Sequence, residues 1–429
     1  MILFPFIIDP WNEDFSFSLI KSTFLIAFMG IVWILVWRGK LLQPKFEHEK
    51  VKIEYILIIF IALLTLSTIF SADIYTSVVG AWTRHEGYFT WLGYLSVFYF
   101  FYRLINYHDF SLEKLLKNLF VVSAVISIYG ILQHFDYDFI SLIVPWESPK
   151  SSIAFFDNPN FYGTYLVLTM GIGMGLYLIA SEKKPLLFYG IVLTLMTSVL
   201  LYTNTRSAWI GLAIVALFYT FTIVKQYKLW KKWVVLLLAM GIMAIAINAS
   251  EGNRYLGKIF ITLEESGDLL DEGLTGHEGS SRLIIWQKDV TILDDYFWIG
   301  SGVDTHAIVF PATPDELEEY FNNRTIMVDK AHNEYLQIAV TIGIPALLVY
   351  LLLLFSVYRK AIQAFKVANK QQKLIICTLL AVITGYLVQA IFNISVVSVA
   401  PILWMLLGIV FGYSIHIKHQ FTMKENNNY

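Results

Sequence analysis

Five short stretches of this 429-residue chain gather arginine, histidine, asparagine, glycine and aromatic residues at the edges of long apolar runs. They are Trp82-Thr83-Arg84-His85-Glu86-Gly87-Tyr88, Phe156-Asp157-Asn158-Pro159-Asn160-Phe161-Tyr162-Gly163 and Asn204-Thr205-Arg206-Ser207-Ala208-Trp209. The fourth runs from Arg282 through Trp286 to Gly300-Ser301-Gly302-Val303-Asp304, and the fifth is Ala331-His332-Asn333-Glu334-Tyr335-Leu336, followed by Gly343-Ile344-Pro345. Fixed guanidinium groups suit an anion with paired oxygens, because the planar fork donates two hydrogen bonds and stays charged at any working pH. An imidazole suits removal of a proton from a hydroxyl, since its unperturbed pKa of about 6.5 lies near working pH. It can equally donate a hydrogen bond to an anion. Competing readings stand beside these: arginines as interfacial anchors or ion-paired with acids such as Glu86, and His332 satisfied by Asn333 or a backbone carbonyl.

The elements that must position these residues are membrane helices. Hydrophobic residues make up 57% of the chain and charged residues only 15%, against about 25% charged in soluble domains; mean hydropathy is +0.61. The apolar residues come in blocks of about 20, the length needed to cross the hydrocarbon core. Lipid offers the backbone no partners, so each block satisfies its own amides as a helix, and alternating strand patterns of a membrane barrel are absent. Spans are expected near 16–37, 53–70, 88–105, 115–135, 160–180, 186–203, 206–224, 232–248, 332–355, 373–392 and 396–416. The fold class is thus an all-α polytopic membrane protein of about eleven helices. Its expected divisions are 1–248 for helices 1–8, 249–331 for a large extracytoplasmic loop, 332–416 for helices 9–11 and 417–429 for a cytoplasmic tail.

Charge sets the orientation. The loops at 38–52, 103–117, 181–185, 225–232 and 359–373, with the tail, hold 21 of the 31 Lys and Arg; the opposite set holds 9 of these and 26 of the 33 acids. Basic loops mark the cytoplasmic side, so the N-terminus is expected outside and the C-terminus inside. The loop 249–331 carries 16 acids and 6 Lys/Arg and contains helix signals. Thr313-Pro314-Asp315-Glu316 is a capping box with proline at the first helical position, and Ser281 to Leu293 reads as an amphipathic helix.

Several functions are disfavoured. Except for Lys21, the spans carry almost no ionisable groups at their centres, where ion-coupled transporters keep them. There is no P-loop and no HExxH, and His416-x-x-His419 lies in the tail. The single Cys377 rules out an intrachain disulfide. The start, Met1-Ile2-Leu3-Phe4, lacks a basic n-region and is read as having no cleavable signal peptide. Metal ligands and cofactors are not expected, and nothing points to nucleic acid.

The order and spacing of Asn158-Pro159-Asn160 before a span, Thr205-Arg206-Ser207 opening another, and His332-Asn333 after the long loop resemble the O-antigen ligase and O-antigen polymerase superfamily of bacterial envelope glycosyltransferases. The resemblance covers most of residues 70–350. It implies an undecaprenyl-diphosphate-linked glycan donor, a glycan, lipid or protein hydroxyl acceptor, and metal-independent transfer at the outer face of the bacterial cytoplasmic (inner) membrane. Arg206 and Arg282 would neutralise the departing diphosphate and His332 would act as general base, making these three the catalytic candidates; Glu86, Asp304 and Glu334 are the reserve bases. Arg84, Trp82, Glu86, Asn158, Asn160, Tyr162, Asn333 and Tyr335 are the substrate-binding candidates, with the aromatic faces available for sugar stacking. Polymerase is narrowly favoured over ligase and protein O-glycosyltransferase. A polysaccharide transporter or flippase is the alternative of a different class, and a peptidoglycan polymerase of the shape–elongation–division type is a second enzyme alternative.

Overall fold

The computed structural model describes residues 1–9, 17–39, 53–105, 111–141, 151–258 and 278–426. Parts of the basic loops, residues 259–277 of the long loop and residues 427–429 at the chain end lie outside the described residues. Among those described there is no strand. The helices in the first half are α1 (Phe17–Trp37), α2 (Ile53–Ile69), α3 (Ile74–Val79), α4 (Tyr88–Leu104), α5 (Leu112–His134), α6 (Pro159–Ile179), α7 (Lys183–Tyr202) and α8 (Arg206–Tyr219). A π-helical turn, Thr220–Val224, prolongs α8. Next come α9 (Trp230–Ser250), α10 (Glu278–Tyr296), α11 (His306–Val309), α12 (Pro314–Phe321), α13 (Glu334–Ile342), α14 (Ile344–Val367), α15 (Lys370–Gln389) and α16 (Ala400–Asn426).

Nine described helices are long and apolar enough to cross a membrane. The other two expected spans are present as the 17-residue helices α2 and α4, each about 25 Å long at 1.5 Å per residue. The chain is a multi-pass membrane protein. Helix α6 is buried along almost its whole length, and glycines make that possible. A Cβ on Gly171 would stand 2.7 Å from Val382 of α15, so the two backbones approach as only small residues permit. Helices α15 and α16 complete the core, α16 packing against α4 and α14, while α1 and α9 present most of their surface outward.

Two boundaries differ from the sequence expectation. The ninth span does not run unbroken from 332. Helix α13 stops at Gly343, whose φ of +101° is open to glycine, and α14 starts anew with Pro345 in its first turn. The polar loop satisfies the backbone at this break. Ser301 N–H donates to Val340 O at 2.9 Å, Gly302 N–H to Thr341 O at 3.0 Å, and Ile344 N–H to Phe297 O at 2.8 Å. The Gly300-Ser301-Gly302 run is therefore a clasp on α13, tied also to the end of α2 by Ala72 N–H to Ser301 O at 2.8 Å. The second difference is at the chain end, where α16 continues to Asn426, so most of the expected tail prolongs the last helix. The capping box at Thr313 and the helix following Ser281 are present as expected.

Candidate active site at one end of the bundle

The first turns of α6 and α8 meet at one end of the bundle, and Arg84, from the segment before α4, lies against α6 there. Gly163 of α6 lies against Thr205 and Ala208, where a Cβ would come 2.9 Å from the Ala208 side chain, so α6 and α8 begin in close contact. In the same turn of α6, the Phe161 ring carries the Arg84 guanidinium 5.2 Å from its centroid. Arg84 Nε donates to Asp329 Oδ2 at 2.6 Å, which ties the segment before α4 to the stretch leading into His332. Helix α10 is fixed to that stretch from the other side, through Trp286 Nε1–H to Ala331 O at 2.9 Å. Arg282 stands one turn earlier on the same face of α10.

Charge interactions define the cluster. Burial, then the neighbouring Arg206 charge, pulls the Arg282 guanidinium below its ordinary value. Burial pushes His332 down to about 4; the Arg282 charge acts in the same direction, Asp329 opposes it, and Arg84 and His306 add smaller downward effects. Burial alone would raise Asp329, but Arg84, Lys330 and His332 together hold it below the usual carboxylate range. Across 249 positions of sequence (84 to 332), Arg84 and Arg282 thus act on His332, and Arg206 acts on Arg282. His332 itself sits in the left-handed region at φ +51°, a conformation that is uncommon outside glycine. The positive field extends further. Trp209 of α8 meets Tyr255 with ring centroids 6.1 Å apart, and Lys258, one turn on, is lowered by burial and by the Arg254 and Arg206 charges.

Beneath the cluster lies a buried polar network. Lys330 Nζ is 3.0 Å from Glu86 Oε2 and 2.7 Å from Asp304 Oδ1. Tyr94 donates to Glu86 Oε1 at 2.6 Å, Ser395 does so at 3.2 Å, and the Ala81 and Glu86 amides donate to Asp304 Oδ2 at 2.7 and 3.1 Å. Burial raises Glu86, and Lys330 pulls it partly back. Both oxygens of Glu334 accept from tyrosines, Tyr350 and Tyr386, at 2.9 Å. The three reserve bases therefore correct the sequence expectation: each is buried and held by its own donors, so His332 is the candidate base with access to the cluster.

Other expected site residues take different places. Tyr162 is fully buried in the bundle, stacked 5.3 Å from Phe156 and donating to Ile126 O, so it offers no face for a sugar. Glu86 is a buried ion-pair partner of Lys330 and not an exposed substrate contact. Asn158 and Asn333 are helix caps: Asn158 Oδ1 accepts from Asn160 N–H at 2.8 Å, and Asn333 Oδ1 from the Tyr335 and Leu336 amides at 3.0 and 3.1 Å. Asn160 is half-buried, its carbonyl accepting from Thr164 and Asn393. Tyr335 spends its hydroxyl on Leu387 O at 2.8 Å. Trp82 is 74% exposed at the rim. Sequence reasoning missed Asp329 and Lys330, although an opposite-charge pair directly before the Ala331-His332-Asn333 stretch is a signal that could have found them. It also missed Lys258 and the buried His306–Asp289 pair.

Comparison with known proteins agrees with the resemblance. Residues 191–351, which include Arg206, Arg282 and His332, match the family model described as O-Antigen ligase. The chain is also 26% identical over 198 residues to a General O-oligosaccharyltransferase of Acinetobacter baylyi. That match covers 44% of this chain and 32% of the relative, so it spans about a third of the relative's length. The similarity to the O-antigen ligase superfamily read from the motifs is borne out by both.

Proposed function

We propose that this chain is a glycosyltransferase that moves an oligosaccharide from a lipid diphosphate carrier, undecaprenyl diphosphate, to a hydroxyl acceptor at the extracytoplasmic face of the bacterial inner membrane. The observation that carries the reading is the convergence of three segments on the stretch before His332. Arg84 bonds Asp329 and lies on the Phe161 ring, and the Arg282 helix is fixed to Ala331 through Trp286, with Arg206 acting on Arg282. An acceptor oxygen attacks the anomeric carbon, the bond from that carbon to the diphosphate oxygen breaks, and the diphosphate leaves with the electron pair. Charge grows on the leaving group, and fixed guanidinium groups stabilise it there without a metal ion. The N-terminus of α8 adds to this, because no side chain caps it: the Thr205 hydroxyl instead donates to Thr203 O at 3.2 Å. An uncapped helix start favours an anion. His332 takes the acceptor proton. Burial and the Arg282 charge keep its basicity low, and a bound dianion offsets that charge, so the base strengthens when the donor arrives.

The acceptor in this reading is the end of a second lipid-linked glycan, which makes the reaction a polymerisation. The test uses the purified protein in liposomes with a synthetic undecaprenyl-diphosphate oligosaccharide. A ladder of products supports polymerisation, while a single addition to an envelope lipid or to a Ser or Thr of a protein assigns ligation or protein glycosylation instead. Arg206→Ala and Arg282→Ala are expected to lose roughly 10²–10³ in rate, and Arg206→Lys is also impaired because it loses the fork. Full activity of both alanine variants at normal expression removes these residues from the mechanism.

A further inference from the structure

His306 and Asp289 form a second buried pair of titratable groups, outside the arginine cluster, that the transfer reaction does not use. His306 is 0% exposed and Asp289 0% exposed. The imidazole faces acceptors on both sides: Nδ1 is 3.0 Å from Val328 O, and Nε2 is 2.8 Å from Asp289 Oδ1. A backbone carbonyl can only accept, so Nδ1 must carry a proton. With Nδ1 protonated, a neutral imidazole would turn the Nε2 lone pair towards a carboxylate oxygen. The arrangement therefore requires one more proton, and the imidazole is the stronger base of the two. Asp289 Oδ2 is buried and has no hydrogen-bond partner among the described residues, and a buried carboxylate oxygen left so needs a cation beside it.

Placement gives the pair its use. Arg282, Trp286 and Asp289 recur at i, i+4 and i+7 on one face of α10. Trp286 holds Ala331 O, and Asp289, through His306, holds Val328 O. These are the two flanks of the Asp329–Lys330 dipeptide, and Ala331 adjoins His332. We propose that His306 is a buried imidazolium which, paired with Asp289, positions the Val328–His332 segment on α10 and so sets His332 against Arg282. The positioning role rests on the glycosyltransferase reading; the protonation state does not. Besides Asp289, the charged and imidazole groups on the elements packed around His306 include Arg282, Lys288, Asp294 and Asp295 of α10, with Lys288 tied to Glu316. They also include Asp304, Asp329, Lys330, His332 and Glu334. Asp304 is paired with Lys330 and Asp329 with Arg84, and Glu334 is held by two tyrosines. The His306 charge also acts on His332, lowering it.

The experiment has two arms. Nitrogen-15 NMR of ring-labelled histidine, with His306→Gln used to assign the signal, is expected to show both His306 nitrogens protonated at neutral pH. A singly protonated ring overturns the imidazolium. In the liposome assay, His306→Ala is expected to lower kcat by about 10²-fold with KM little changed, the scale of loss from misplacing a reacting group by an ångström. Asp289→Asn can donate from its amide to a neutral Nε2 while Nδ1–H still serves Val328 O, so it should keep most of the turnover. Loss in Asp289→Asn equal to that in His306→Ala, or unchanged kcat in His306→Ala, overturns the positioning role. Wild-type protein without transfer activity but with a doubly protonated His306 would instead refute the glycosyltransferase reading and leave the imidazolium standing.

Discussion

Replacing Lys330 by methionine keeps the length of the side chain and removes the ammonium that pairs with Glu86 and Asp304 in its buried network. Glu86 is 1% exposed, Asp304 3% and Lys330 4%, so water cannot replace the lost contacts. Tyr94 and Ser395 still serve Glu86 Oε1, and the Ala81 and Glu86 amides still serve Asp304 Oδ2. What is lost is the 3.0 Å contact to Glu86 Oε2 and the 2.7 Å contact to Asp304 Oδ1. Breaking a buried pair from one side costs roughly 3–5 kcal/mol, because the remaining charge is uncompensated. Lys330→Met should therefore unfold well below the wild type in detergent, followed by tryptophan fluorescence. Adding Glu86→Gln removes one of the two stranded charges and should recover part of the loss, a coupling of about 1–3 kcal/mol. Acid should help too. Burial already raises Glu86 and Lys330 opposes that. With Lys330 gone its folded value sits further above the unfolded one, so the variant gains stability relative to wild type as pH falls and loses it as pH rises through that value. A Lys330→Met protein that melts with the wild type at neutral pH, or a double variant no better than the single one, refutes the reasoning.

Three further outcomes are expected. The fall in kcat/KM due to His332 should come near pH 4, where burial and the Arg282 charge place the imidazole, with activity present above that value and lost as pH drops through it; an acid limb near the ordinary value of about 6.5 that vanishes in His332→Gln contradicts this. Gly300→Ala should destabilise the protein by roughly 1–3 kcal/mol in the same melting assay, since Gly300 has φ +77° and a Cβ would stand 2.4 Å from Ile342 N. In a Cys377→Ser background, a cysteine at the exposed position Asn322 should react with an impermeant maleimide added to the outside of intact cells, and reaction only after the cytoplasmic side is opened reverses the assigned orientation.

Element count and order were legible in the sequence because lipid forces each apolar block to close its own hydrogen bonds. The break at Gly343 was not, since apolar residues run through it; Gly343-Ile344-Pro345 was seen as a motif without being read as a stop and a restart. Asn158 and Asn333 were singled out for chemistry, although asparagine just before a helix, with proline next in the first case, is the ordinary signature of a cap. Tyr162 was grouped with its neighbours along the chain, but a helix turns by about 100° per residue, and its face points into the bundle. That Arg206 and Arg282 should converge, with His332 beside them, was an expectation from charge scarcity and resemblance. Their partners were harder to foresee: Asp329 and Lys330 meet Arg84 and Glu86 across about 245 positions, and no local pattern encodes that pairing.

The clasp between the polar loop and the broken helix also constrains when the protein can mature during synthesis. The end of α2 is fixed through Ala72 to Ser301, and Ser301 is held by Val340. Helix α4, made early, has its main partner in α16, made last. Ribosomes add roughly 5–20 residues per second, so the first helices must wait many seconds in the bilayer before their neighbours exist. During that time the half-finished bundle exposes the carboxylates that Lys330 will later neutralise, and Glu86 is among them. A chain truncated before residue 300 should accordingly remain a substrate for membrane quality control, while the completed one escapes it.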